Sequence, residues 1–188
     1  FPANLFGPKI IKAIRGPLPQ LSLMPTGGVN EQNLGDYLAF PKIIACGGSF
    51  MVNDALINAG DFAAITELTR KAVAIVMGFE LAHVGINSQS GDEALATANL
   101  LSAMFGFQVK EGNSSVFAGP VEVMKEPYRA PNGHVAIRVN DLSRAMAYFT
   151  RKGFEFDPST MKTNAKGQNV AIYFKDPIGG FSWHLVQK

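Results

Sequence analysis

Several things are scarce in this chain, and each scarcity excludes something. One cysteine, Cys46, stands among 188 residues. No internal disulfide framework is possible, and a reducing compartment, the cytoplasm, is expected. No apolar run approaches the ~20 residues that span a bilayer. No basic stretch leading into an apolar one marks a secretion signal, so neither a membrane nor an export route is expected. Charged residues are 17% of the chain and the net charge is +2. The lysines and arginines are scattered without interleaved aromatics, which argues against nucleic acid as a partner. Histidine is limited to His83, His134 and His184. The first residue is Phe1 rather than Met, so a processed product or a piece of a longer chain is expected. What the chain does have is apolar matter, 47% of its residues, enough for one or two cores.

Two stretches follow different rules. In residues 1–79, helical spacing in "GPKIIKAIRG" (7–16), "NEQNLGDYLAF" (30–40) and "DFAAITELTRKAVAIVMGF" (61–79) alternates with short apolar strands at "LSLMP" (21–25) and "KIIACGG" (42–48). Asn30 and Asp61 are the expected N-caps. Buried strands alternating with helices predict a parallel sheet of strand–helix units. Cys46 is expected as a small buried strand residue.

Residues 80–188 contain an internal repeat. Each copy reads as strand, helix, then three strands: "HVGIN" (83–87), helix 91–105, strands 106–110, 114–118 and 121–125; then "HVAIRV" (134–139), helix 141–152, strands 153–156, 169–174 and 181–187. Paired repeats bury the face each exposes alone. Strand alternation puts His83, Gly85 and Asn87 on one face of the first strand, and His134, Ala136 and Arg138 on one face of its counterpart. Each copy adds one polar residue on its last strand, Glu122 or His184. The expected site is therefore His83, Glu122, His134 and His184, using every imidazole of the chain. Neutral imidazole and carboxylate are the usual donors for zinc, nickel, iron or manganese. Trp183, by alternation, is expected to pack in the core on the opposite face.

With these residues in place, 80–188 resembles a vicinal oxygen chelate domain, the glyoxalase/dioxygenase-type fold of two βαβββ modules. "NGHVAIRVNDL" (132–142) and "DPIGGFSWHL" (176–185) are its most recognisable stretches. The resemblance implies metal ligands at His83, Glu122, His134 and His184, with Glu122 as ligand or base. Many family members carry a carboxylate where this chain has His184. Isomerase, dioxygenase, lyase and non-catalytic binding module all remain open.

In the first stretch, "MPTGGVN" (24–30) and "ACGGSF" (45–50) each end a strand in glycines and are expected to open a helix, which favours an anion such as phosphate. Together with "FPAN" (1–4), "RGPLPQ" (15–20) and "GDYLAFP" (35–41), they resemble the C-terminal part of a KHG/KDPG aldolase, a class I aldolase of (β/α)8 barrel fold. The resemblance implies phosphate binding by Gly27, Gly28, Gly48 and Ser49, a place near the pyruvyl end for Thr26, no cofactor for this part, and a 2-keto acid or sugar-acid phosphate as substrate. It also places the Schiff-base lysine about two residues before Phe1 and the general-base glutamate on an earlier strand. The chain by itself is therefore expected to lack aldolase activity.

The expected fold is thus α+β: a partial TIM-barrel remnant (1–79) followed by a paired βαβββ domain (80–188). About three strands cannot close an eight-stranded barrel. Bare edges and uncovered apolar faces are expected in 1–79, along with a partner for them, either the rest of the barrel or a second copy of the chain.

Overall fold

The computed structural model describes every residue except Phe6 and Pro41, and every side chain except those two and that of Pro8. The stretch 35–41 quoted above therefore ends outside the described residues. The chain divides into two compact units, Phe1–Gly78 and Phe79–Lys188. Among the described residues no helix is long and apolar enough to cross a membrane.

The first unit is mainly helical: α1 (Gly7–Arg15), α2 (Leu34–Leu38), α3 (Asp54–Asn58) and α4 (Phe62–Met77). Asp61 caps α4 by accepting from the Ala64 N–H, and Gly78 ends it in the left-handed conformation that glycine tolerates. Ile11, Val29, Leu34, Tyr37, Ile43 and Ala72 form the core. The two expected strands and one expected helix are corrected here. The segments 21–25 and 42–48 are not full strands; they meet through two parallel bridges, Leu23↔Ile43 and Thr26↔Gly47. Among the described residues each has only the other to pair with, so no ladder extends. The expected helix 30–40 shortens to α2, because the Asn30 side chain accepts from Gln32 and Asn33 and holds a turn instead. Helix α3, capped by Asn53, was not anticipated. The strand pair also leaves Met24 55% and Ile44 64% exposed.

The second unit is one eight-stranded sheet with two helices. Its first module is β1 (Glu80–Asn87), α5 (Gly91–Phe105), β2 (Val109–Glu111), β3 (Ser115–Ala118) and β4 (Val121–Met124); its second is β5 (His134–Val139), α6 (Leu142–Arg151), β6 (Lys162–Thr163), β7 (Asn169–Tyr173) and β8 (Ser182–Gln187). The strand order β2-β3-β4-β1-β5-β8-β7-β6 is mirror-like about the β1–β5 junction. In both modules the first and last strands run parallel, β1 with β4 and β5 with β8, and β1 meets β5 antiparallel. Ser90 caps α5, Asp141 caps α6, and Gly106 ends α5 with φ 71°. Helix α5 packs Ala94 and Ala98 on Val116, Ala118 and Val123; alanines let the helix approach the sheet closely.

Three details differ from the sequence reading. His83 does not head its strand, since β1 starts three residues earlier at Glu80, which faces Arg138. Residues 153–156 make only one bridge, Phe156↔Phe174. There Pro158 opens a 3-10 turn and the Thr160 hydroxyl takes the Tyr173 N–H, replacing ladder bonds. The outer strand of this module is instead the two-residue β6.

Candidate functional site

The repeat and the register together assemble the site. On β1 and β5, His83 stands opposite Ala136, and Gly85 opposite His134. Glu122 on β4 pairs with Gly85, and His184 on β8 pairs with Ala136. His83 and His134 therefore each lean over the small residue of the other module, and His184 flanks Ala136 within its own. The smallness is required. A Cβ on Gly85 would lie 2.0–2.4 Å from the His134 ring, and Ala136 is fully buried.

The result is a tight cluster. The ring centroids of His83, His134 and His184 are 5.2 to 5.4 Å apart. His83 Nε2 and His134 Nε2 are 3.2 Å apart, and each stands 3.0–3.1 Å from Glu122 Oε2. One donor atom from each histidine lies within 4.8 Å of the others. Ser115 Oγ donates to the second carboxylate oxygen of Glu122 at 2.7 Å, fixing the group. His184 lies flat on Tyr173, 4.3 Å between centroids and 6° between planes.

Electrostatics follow from this packing. Burial by itself would raise the Glu122 carboxyl, but hydrogen bonds with His134, His83 and Ser115 outweigh it and hold the group well below the usual carboxylate range. Burial, reinforced by the two neighbouring imidazoles, pushes His184 down to about 3, so it is neutral. Burial pushes the Tyr173 phenol well above its usual value.

Three ring nitrogens, His134 Nδ1 and both of His184, are buried with no hydrogen-bond partner. Leaving such atoms unsatisfied costs about 1–3 kcal/mol each. A divalent ion accommodates this donor set. Donors at about 2.0–2.1 Å from one ion stand about 2.8–3.4 Å apart across octahedral and tetrahedral geometries, and the Nε2–Nε2–Oε2 triangle falls within that range. His184 would supply a further neutral donor from an otherwise orphaned atom.

All four residues singled out in the sequence are thus brought together. Asn87 and Arg138, on the same strand faces, are not. Asn87 pins the 126–133 linker through the Ala130 carbonyl and Tyr128 N–H, and Arg138 pairs with Glu80. Sequence reasoning missed Ser115, Phe117, Tyr128 and Tyr173. Alternation within "SSVFA" carried a signal for Ser115 and Phe117; the stacking of Tyr173 on His184 had none. Trp183 lies on the opposite face, partly buried, lining a groove of about 650 Å³ with Phe79, Phe149, Phe154 and Phe174.

The glycine loops of the first unit also adjoin, through the Thr26↔Gly47 bridge. Neither opens a helix directly, because α2 starts at Leu34 and α3 at Asp54. Gly27 and Gly28 have φ of 84° and 74°, and a Cβ on them would strike Phe1, Pro2 or Asn4 at 2.4–2.9 Å. The N-terminal turn lies on this loop, with Ala3 and Asn4 donating to the Thr26 and Gly27 carbonyls. Packing of that turn therefore requires these glycines whether or not an anion binds. Thr26 and Gly48 are half-buried and Ser49 is exposed.

A family model described as KDPG and KHG aldolase matches residues 1–68. The 2-dehydro-3-deoxy-phosphogluconate aldolase of Haemophilus influenzae is 47% identical over 77 residues, covering 40% of this chain and 36% of that protein. The KHG/KDPG aldolase of Escherichia coli strain K12 is 43% identical over 74 residues, covering 39% and 35%. The chain thus spans little more than a third of the length of these relatives. Among solved structures, methylmalonyl-CoA epimerase from Mycobacterium tuberculosis is 18% identical with a TM-score of 0.43, covering 57% of this chain and 86% of that one. A hypothetical protein from Bacillus halodurans C-125 is 15% identical with a TM-score of 0.44, covering 58% and 94%. Likeness at that level says nothing about chemistry. Residues 1–68 are aldolase-like in sequence, and 79–188 have the two βαβββ modules of the vicinal oxygen chelate fold by their own strand order and register.

Proposed function

We propose that the second unit is a divalent-metal centre, with His83, His134, Glu122 and His184 as its protein ligands, acting on a small molecule with two adjacent oxygens. The observation that carries this reading is the 3.0–3.2 Å triangle of two imidazole nitrogens and one carboxylate oxygen, beside a histidine whose buried nitrogens have no partner. When bound, the ion supplies Lewis-acid stabilisation of negative charge developing on a substrate oxygen. The chain's own residues prepare for that. Ser115 fixes the Glu122 carboxylate, and Tyr173 fixes the His184 ring. The lowered pKa values keep Glu122 anionic and His184 neutral at pH 7, the forms in which each donates a lone pair. Zinc, nickel, iron and manganese all suit three imidazoles and a carboxylate. Elemental analysis of the purified chain tests this. About one equivalent of transition metal, lost in a His83→Ala/His134→Ala double variant that remains folded, is the expected result; a metal-free protein that takes up none on reconstitution overturns it.

The first unit reads as the C-terminal part of an aldolase that releases pyruvate from a 2-keto-3-deoxy sugar-acid phosphate or 4-hydroxy-2-oxoglutarate. Its support is the 43–47% identity to aldolases over this stretch. On this reading Gly27, Gly28, Gly48 and Ser49 hold the substrate phosphate and Thr26 lies near the pyruvyl end. The chain by itself does not turn over, because imine chemistry needs a desolvated amine of lowered pKa, whereas Lys9, Lys12 and Lys42 are exposed. Borohydride trapping with pyruvate is expected to leave the mass of the chain unchanged; a stable adduct would refute this.

A further inference from the structure

The two modules present the cluster to solvent differently, and the difference points to a substrate subsite. Residues directly opposite one another in a sheet share a face. One cross-strand row runs Lys110↔Phe117, Phe117↔Glu122, Glu122↔Gly85, Gly85↔His134. Lys110 and Phe117 therefore project on the same side as the proposed ligands. Phe117 meets His83 edge-on, with centroids 5.7 Å apart. Beyond it lies a cavity of about 470 Å³ lined by Gln108, Lys110, Glu111, Gly112, Phe117 and Gly119. Lys110 is two strands from Glu122, about 10 Å at the usual strand spacing, and a lysine side chain spans much of that gap.

The second module has the same position closed. Tyr173 stands opposite His184 as Phe117 stands opposite Glu122. It is buried beneath Tyr128 and the Arg129 guanidinium, which lies 4.6 Å from its ring centroid. Arg129 is in turn tied to Asp157 at 3.3 Å. Its charge is thus neutralised and its place filled. Lys110 is exposed and has no carboxylate partner among the described residues. Glu111, which also lines the cavity, has its own cation in Lys125 at 2.6 Å.

We propose that the cavity over Phe117 is the substrate subsite of the metal centre, and that it selects a 2-oxo or 2-hydroxy acid carrying a second anionic group, held by Lys110. The inference rests on the metal reading above. The chelating oxygens face the histidines, the carbon chain crosses Phe117, and the far anion meets the lysine.

The test uses the full chain loaded with Co²⁺, whose visible spectrum reports the ligand field. Three probes of similar length are titrated: 2-oxoglutarate, 2-oxo-4-phosphonobutanoate and the singly charged 2-oxopentanoate. At least one dianion is expected to bind about ten-fold more tightly than 2-oxopentanoate, the size of one well-placed charge contact. Which dianion wins identifies the far group as carboxylate or phosphate. Lys110→Met is expected to abolish the preference, Lys110→Arg to keep most of it, and both to leave the Co²⁺ spectrum unchanged. Arg129→Met is expected to retain the preference. A preference that is absent, that survives Lys110→Met, or that is lost in Arg129→Met instead overturns the subsite while the metal centre stands. A Co²⁺ spectrum that never forms, or is indifferent to His83→Ala/His134→Ala, overturns the metal centre and the subsite with it.

Discussion

The two units of this chain solve the problem of strand edges in opposite ways. In residues 79–188 the repeat supplies its own partner: β1 of one module meets β5 of the other, and eight strands become continuous. In residues 1–78 two extended segments share two bridges and expose Met24 and Ile44. Both stretches are rich in apolar residues, so composition does not separate them. Pairing does: a strand needs hydrogen-bonding neighbours on its edges and cover on its faces, and duplication provides both.

The comparison can be broken most forcefully at Gly85. Gly85→Val puts methyl groups where the His134 ring sits, so the second unit is expected to lose about 3 kcal/mol or more, along with the metal binding proposed for it. Trp183 is the only tryptophan and lies in the second unit, so its fluorescence follows that unit alone. An unchanged melting midpoint by Trp183 emission would refute the packing account.

Metal removal comes next. If the proposed ion is bound, a chelator is expected to lower the midpoint seen by Trp183, corresponding to about 3–4 kcal/mol of stability for an ion present at 100 to 1,000 times its Kd. The part of the far-ultraviolet circular dichroism that melts separately, assigned to the first unit, is expected to stay put. Equal shifts in both signals would mean that the units do not unfold independently.

Hydrogen exchange sharpens the contrast residue by residue. The amides of Leu23, Ile44 and Gly47 hydrogen-bond across the bridged pair but lie at an unsupported edge. They are expected to exchange about a hundredfold or more faster than those of Ile172 and Leu185, which are buried and face each other across the β7–β8 pair of the large sheet. Comparable protection would show that the first unit is as well held as the second.

The smallest effect is Tyr37→Phe. The Tyr37 hydroxyl donates to the Ala3 carbonyl at 2.9 Å, fastening the N-terminal turn to the core. Its loss is expected to cost about 1 kcal/mol, read as a lower urea midpoint of the first unit's dichroism with the Trp183 transition unmoved.

Much of the second unit was legible in sequence. The repeat, the helix spans and the period-2 alternation placed His83, Glu122, His134 and His184 on one side of their strands. Helix α5 spans the expected residues 91–105, with Ser90 as its cap and Gly106 at its end. Less was legible where side chains substitute for backbone bonds. Thr160 accepting the Tyr173 N–H ends a ladder that the apolar run "GFEF" foretold. The Asn30 turn shortens a helix whose spacing looked longer. Such exchanges involve distant or competing partners and leave no periodic trace.

The sequence by itself determined the alternation, the Asp61 cap and the duplication, because these depend on neighbours a few residues apart. Only the tertiary structure decided the register that sets His134 against Gly85 and His184 against Ala136. It also decided that Tyr173 covers the His184 side of the cluster while a cavity lies over Phe117 on the other. Register is a relation between strands far apart in the chain. A slip of one residue would turn every one of these side chains to the opposite face.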